Sequence, residues 1–62
     1  MKYYAVVTDY FDDGRVRANS FAVEADKMPE SKYEQRKQFD RYTDYFDTPE
    51  DAEQWRQNSL NA

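Results

Sequence analysis

KYYAVVTDYFDDGRVRANSFAVEA, running from Lys2 to Ala25, decides the fold. Its first ten residues, Lys2–Phe11, are aromatic and β-branched with neither Gly nor Pro, which is strand composition. Asp12-Asp13-Gly14 then supplies a turn, because Asp tolerates positive φ and Gly takes it freely. Val16 to Ala25 returns as a second strand. Two registers fit. A two-residue Asp13-Gly14 turn pairs Asp12 with Arg15, Val6 with Phe21 and Tyr4 with Val23. A three-residue loop instead pairs Asp9 with Arg17 and Tyr10 with Val16.

Neither face of the first strand is purely polar. Tyr3, Ala5, Val7 and Phe11 share one face, and Tyr4, Val6 and Tyr10 share the other. A sheet with one wet face alternates cleanly, so this strand predicts cover on both sides.

Asp26 to Gln38 (DKMPESKYEQRKQ) has seven charged residues in thirteen, with Met28 and Tyr33 its only large apolar groups. Pro29 interrupts a continuing strand. The segment reads as a polar linker, either mobile or carrying one or two helical turns from the Ser31/Glu34 capping-box spacing. Phe39 to Asp47 (FDRYTDYFD) returns to aromatic–polar alternation and reads as a third strand. Asp40 and Asp44 share a face with Tyr42 and Phe46, as on an edge strand with a wet face. Thr48 can cap a helix, Pro49 suits its first position, and Glu50, Asp51 and Glu53 complement its dipole. Ala52, Trp55, Ser59 and Leu60 form its narrow docking stripe. The expected fold is therefore α+β. One domain, residues 1–62, carries a hairpin (1–25), a linker (26–38), a third strand (39–47) and a helix (48–60). The sheet has three antiparallel strands and the helix lies across one face.

Composition bounds what such a domain does. Leu, Ile, Val and Phe number only nine among 62 residues, while six Tyr, four Phe and one Trp make the chain 18% aromatic. Disordered chains are poor in aromatics, so a folded chain with an aromatic core is expected, with Trp55 its largest group. Cys and His are both absent. That removes disulfides, thiolate metal sites, thiol nucleophiles and the commonest general base. Ser20, Ser31 and Ser59 lack a His partner, and one glycine cannot build a phosphate loop. A calcium loop starting at Asp9 fails at Phe11 and Ser20, its third and twelfth positions. No enzyme activity, cofactor or metal is expected. No apolar run spans a membrane and no signal core follows Met1, so a cytoplasmic protein is expected.

Charge narrows the partner. The net charge is −4, which argues against direct nucleic-acid binding despite Arg15, Arg17, Arg36, Lys37 and Arg41 among the aromatics. The acids concentrate in residues 39–53, where six face a single Arg41. Dipole complementation accounts for Glu50, Asp51 and Glu53. Asp40, Asp44 and Asp47, with Tyr42 and Tyr45, remain as the candidate partner-binding residues. The function expected is a non-enzymatic protein-interaction module, a small regulator or inhibitor. The alternative is an acidic mimic of nucleic acid filling a basic cleft on a nucleic-acid-binding protein, and the third reading is a weak single-stranded nucleic-acid binder. The partner is a protein not named by the sequence. A homodimer is also expected, because one helix cannot cover both apolar faces of the sheet. With its short length and its ending YFDTPEDAEQW (Tyr45–Trp55), the chain resembles small accessory proteins of bacteria and bacteriophages. No residue role follows from that resemblance.

Overall fold

Phe11 closes the first turn from both sides. Its carbonyl accepts a hydrogen bond from Gly14 N at 3.0 Å, and its own N–H donates to Arg15 O at 2.9 Å. In the computed structural model, which describes residues 1–61, this joins β1 (Lys2–Phe11) to β2 (Val16–Glu24). The loop is three residues long, so Asp9 pairs with Arg17 and Tyr10 with Val16. The shorter turn is excluded. Gly14 has φ +92°, the left-handed conformation that a three-residue loop requires at its last position. Asp13 braces the turn by accepting from Arg15 N at 3.0 Å and Arg15 Nε at 2.7 Å. The bond from the Arg15 backbone is the main reason the Asp13 carboxyl sits below its usual range.

The sheet has four antiparallel strands, not three, in the order β2-β1-β4-β3. The extra strand, β3 (Lys32–Gln35), lies in the segment read as a linker, and no helical turn forms at Ser31–Glu34. KYEQ is short and half charged, which is how an exposed edge strand avoids unwanted pairing. Those same properties hide it in the sequence. β4 (Phe39–Phe46) is consequently an interior strand between β1 and β3, and not the edge that its alternation suggested. Arg36 N donates to Phe39 O at 2.9 Å and closes the β3–β4 hairpin.

The helix begins as the sequence predicts. In α1 (Pro49–Asn61), Thr48 Oγ1 accepts from Asp51 N at 3.2 Å and Thr48 O accepts from Ala52 N at 3.3 Å. The last residue of the expected domain, Ala62, lies outside the described residues. The helix rests on β2 and β1 and only lightly on β4. Its buried residues are Ala52 and Ser59, two turns apart. Such small side chains let the helix approach Val6, Thr8 and Ala18 closely, all of them buried on that face.

This close approach corrects the expected aromatic core. The buried apolar residues are Tyr3, Ala5, Val6, Ala18 and Ala52, so Tyr3 alone among the eleven rings is buried. Trp55 is 45% exposed and is not the centre of the core. No room for large rings exists beneath a helix held down by Ala and Ser, and the rings instead form a flanking shell. Tyr10, Tyr33 and Tyr42 line one side, and Phe46 meets Trp55 with ring centroids 5.8 Å apart.

The second face carries no helix, yet it is not a bare apolar surface. Asp9 sits at its middle, only 2% exposed, between Arg17 and Arg41 on the neighbouring strands. Its Oδ1 accepts from Arg41 Nε at 2.8 Å, and its Oδ2 accepts from Arg41 Nη2 and Arg17 Nη2, each at 3.1 Å. The guanidiniums also lie near aromatic rings, Arg17 over Phe11 and Arg41 over Phe39. Long charged side chains thus roof this end of the face with their stems and planes. Toward the other end, Phe21 remains 50% exposed.

Candidate functional site

The offset of α1 toward β2 leaves half of its own sheet face open. On this face, strand pairing lines up Thr8 with Tyr42, Tyr10 with Asp40, and Val6 with Asp44. β3 extends the row, placing Tyr33 opposite Tyr42 and Gln35 opposite Asp40. The result is a groove of about 510 Å³ with a floor of Thr8, Tyr10, Asp40, Tyr42 and Asp44. Trp55 and Ser59 form its helical wall.

A row of three tyrosines runs from strand to strand, with Tyr10 and Tyr42 in the floor and Tyr33 beside it. Tyr42 is the middle ring, packed edge-on against Tyr10 at 5.6 Å and tilted against Tyr33 at 4.9 Å. All three are substantially exposed. Each flanking carboxylate is fixed by one hydroxyl: Tyr33 OH donates to Asp40 Oδ1 at 3.3 Å, and Ser31 Oγ donates to Asp44 Oδ1 at 3.1 Å. Among the described residues, the second oxygen of each has no protein hydrogen bond. Partial withdrawal from water, and then the Asp40 carboxylate, raise the Tyr33 phenol above its ordinary value. Below them lies Thr8, 1% exposed, whose buried Oγ1 has no hydrogen-bond partner among the described residues.

The groove gathers three of the five sequence-predicted residues, Asp40, Tyr42 and Asp44. Tyr45 is turned to the opposite face, where it pairs with Ala5, and Asp47 lies exposed in the connection to α1. Sequence reasoning missed Thr8, Tyr10, Tyr33 and Trp55. Tyr10 shared a face with Tyr4 and Val6 in the sequence, but only the β1–β4 register brings it beside Tyr42. Trp55 carried the signal of a lone Trp at docking spacing and was assigned to the core.

The lining offers hydroxyls, carboxylates and aromatic rings. Its hydroxyls have no His or Lys beside them in the lining, and Asp40 and Asp44 are separated by Tyr42. Four residues along a strand span about 13 Å, beyond the spacing at which paired carboxylates share a reaction centre. Among the described residues no group of three or more His, Cys, Asp or Glu is placed to hold a metal ion. Among the described residues no helix is long and apolar enough to cross a membrane. No protein-family model matches the chain, and neither curated proteins nor solved structures yield a match.

Proposed function

We propose that the chain is a non-enzymatic protein-interaction module, a small regulator or inhibitor that engages its partner through the groove between α1 and the β4–β3 half of the sheet. The observation that carries this reading is the exposed tyrosine row flanked by Trp55. Exposed aromatic clusters with fixed polar groups are characteristic of recognition surfaces, because rings give large contact area at low entropic cost. The alternative, a nucleic-acid mimic, needs carboxylates projecting at phosphate spacing. Asp40 and Asp44 are half-buried and tethered to hydroxyls, so we favour ordinary protein recognition. The experiment is capture of partners from the native host by the wild-type chain and by Tyr42→Ala. A partner retained by the first and lost by the second supports the reading; capture indifferent to Tyr42, Tyr10 and Trp55 substitutions removes the groove from it.

The same reading includes a homodimer formed along β2. That edge is nine residues long without Gly or Pro, whereas the opposite edge is the short charged β3. Met1 exchanges both backbone hydrogen bonds with Ala25, so by alternation the odd-numbered residues of β2 face β1. Ala18, Ser20 and Ala22 therefore direct their N–H and C=O groups outward. A twofold axis at Ser20 pairs Ala18 with Ala22 and Asn19 with Phe21, covering the exposed Phe21 ring.

A further inference from the structure

The lining of the groove contains two carboxylates and no cationic side chain. Its aromatic floor offers a negative π-face where the tyrosine rings are exposed, and among the described residues one oxygen of each carboxylate has no protein hydrogen bond. Both features are met by the same kind of group: a flat cation that carries several N–H donors.

Resting on the interaction-module reading, the geometry points to a binding site for arginine side chains on an extended, basic segment of the partner. A guanidinium stacks on a tyrosine face and donates two parallel hydrogen bonds to a carboxylate, which the compact ammonium of lysine does not do. Asp40 and Asp44 stand on one strand face about 13 Å apart, with Tyr42 between them. An extended peptide places residues i and i+4 on one side at that same separation. The segment that fits therefore bears arginines four positions apart, one at each carboxylate, with the intervening chain over Tyr42. Trp55 walls one guanidinium from water.

The charge of the whole chain supports this occupant. A net −4 raises the local concentration of basic peptides and speeds their encounter. The row on the opposite face, Arg17–Asp9–Arg41, keeps its cations away from the groove, since Asp9 and its partners point to the other side of the sheet.

The test uses the intact chain and the capped peptide Gly-Arg-Gly-Ser-Gly-Arg-Gly, with versions carrying Lys or Leu in place of both Arg. Binding is read from the fluorescence of Trp55, the only Trp, and from backbone NMR shifts around the groove. The Arg peptide is expected to bind most tightly and the Lys version at least about tenfold more weakly, because both bidentate contacts become single ones. Asp40→Asn combined with Asp44→Asn should weaken the Arg peptide by at least about tenfold and flatten its salt dependence. Equal binding of the Leu version at the groove overturns the arginine proposal and leaves the interaction-module reading standing. Arg-peptide binding indifferent to the Asp variants overturns it as well. Absence of any groove shift with all three peptides also rejects the proposal, while the capture experiment with Tyr42→Ala decides the broader reading independently.

Discussion

Asp9 and Arg41 lie 32 residues apart in the chain and meet through two hydrogen bonds, at 2.8 and 3.1 Å, on the uncovered face of the sheet. Arg17 completes the set from the other side, and Glu34 stands opposite Arg41 on β3. Charges therefore alternate across all four strands: Arg17, Asp9, Arg41, Glu34. Opposite charges in facing positions favour one register, because a slip by a single residue moves every side chain to the other face. The row thus fixes β4 against β1 without any local turn between them.

Removing Asp9 strands two guanidiniums above a closed surface. Asp9→Ala is expected to cost about 2–4 kcal/mol, below the largest values for buried pairs because both arginines keep contact with water. Arg17→Ala should cost less than about 1 kcal/mol, since Arg17 is the more exposed partner and contributes one bond. Urea denaturation of the three proteins checks the order. Equal losses from Asp9→Ala and Arg17→Ala would show that the Asp9–Arg41 fork is not the stronger half.

Acid should reveal the same cluster. The hydrogen bond from Arg41 is the largest influence on Asp9 and, with Arg17, outweighs burial to hold its carboxyl below the ordinary 3.8. Glu53, bound by Arg56 at 2.6 and 2.8 Å, is lowered to about 2. Both groups are more acidic in the folded state than in the unfolded chain. Their stabilisation is complete above the ordinary values of 3.8 and 4.5 and is lost as pH falls through the folded values. Thermal melts should therefore move downward below about pH 4.5 and continue falling toward pH 2. In Asp9→Asn the decline should be shallower; an unchanged slope would mean that Asp9 titrates normally.

Gly14 provides a test free of packing effects. A Cβ added there meets nothing within 4 Å, so any penalty comes from the φ of +92° alone. Asn accepts this conformation better than Ala, and β-branched Val accepts it worst. The expected stability order is Gly, Asn, Ala, Val, with Gly14→Val costing at least about 1 kcal/mol. Chemical denaturation gives the order directly. A Gly14→Val protein as stable as the parent would exclude the positive φ.

Trp55 and Ala52 invert the usual expectation that the larger residue matters more. A fully buried Trp would cost about 3–5 kcal/mol on truncation, whereas Trp55, nearly half exposed, should cost about 1–2 kcal/mol. Ala52 is 2% exposed where the helix meets the sheet. Ala52→Leu should lose about 1–3 kcal/mol by lifting the helix. Far-UV circular dichroism melts compare the two. Unfolding of Trp55→Ala at room temperature, beside a tolerant Ala52→Leu, would place the ring at the centre of the core after all.

These cases show which parts of the fold were legible beforehand. The hairpin and the helix start are local: Gly14, Asp13, Thr48 and Pro49 act on neighbours within four residues, and their residue types state the required conformation. β3 was not legible, because KYEQ has the polarity of a linker and becomes a strand only by pairing with Phe39–Phe46. The site was half legible. Asp40, Tyr42 and Asp44 share a face by strand alternation alone, but Thr8 and Tyr10 join them through the β1–β4 register. That register depends on contacts such as Asp9–Arg41, a pair 32 positions apart for which the intervening chain carries no signal.

Self-association is the prediction with the widest consequence, and the structure alters the argument for it. The uncovered face is partly closed by Arg17, Arg41 and their aromatic neighbours, so an apolar face-to-face dimer has less to bury than composition implied. The β2 edge becomes the stronger route, since its outward N–H and C=O groups are unpaired among the described residues and Phe21 stands exposed beside them. Sedimentation equilibrium at micromolar concentration is expected to give twice the 7.5 kDa chain mass. Ser20→Pro removes an outward N–H without breaking a β1–β2 bond, and proline is tolerated on an edge in that orientation. The variant should therefore keep its circular dichroism spectrum and sediment as a monomer. If Ser20→Pro remains dimeric, the edge is not the interface. If the wild-type chain sediments as a single 7.5 kDa species across the range, there is no dimer.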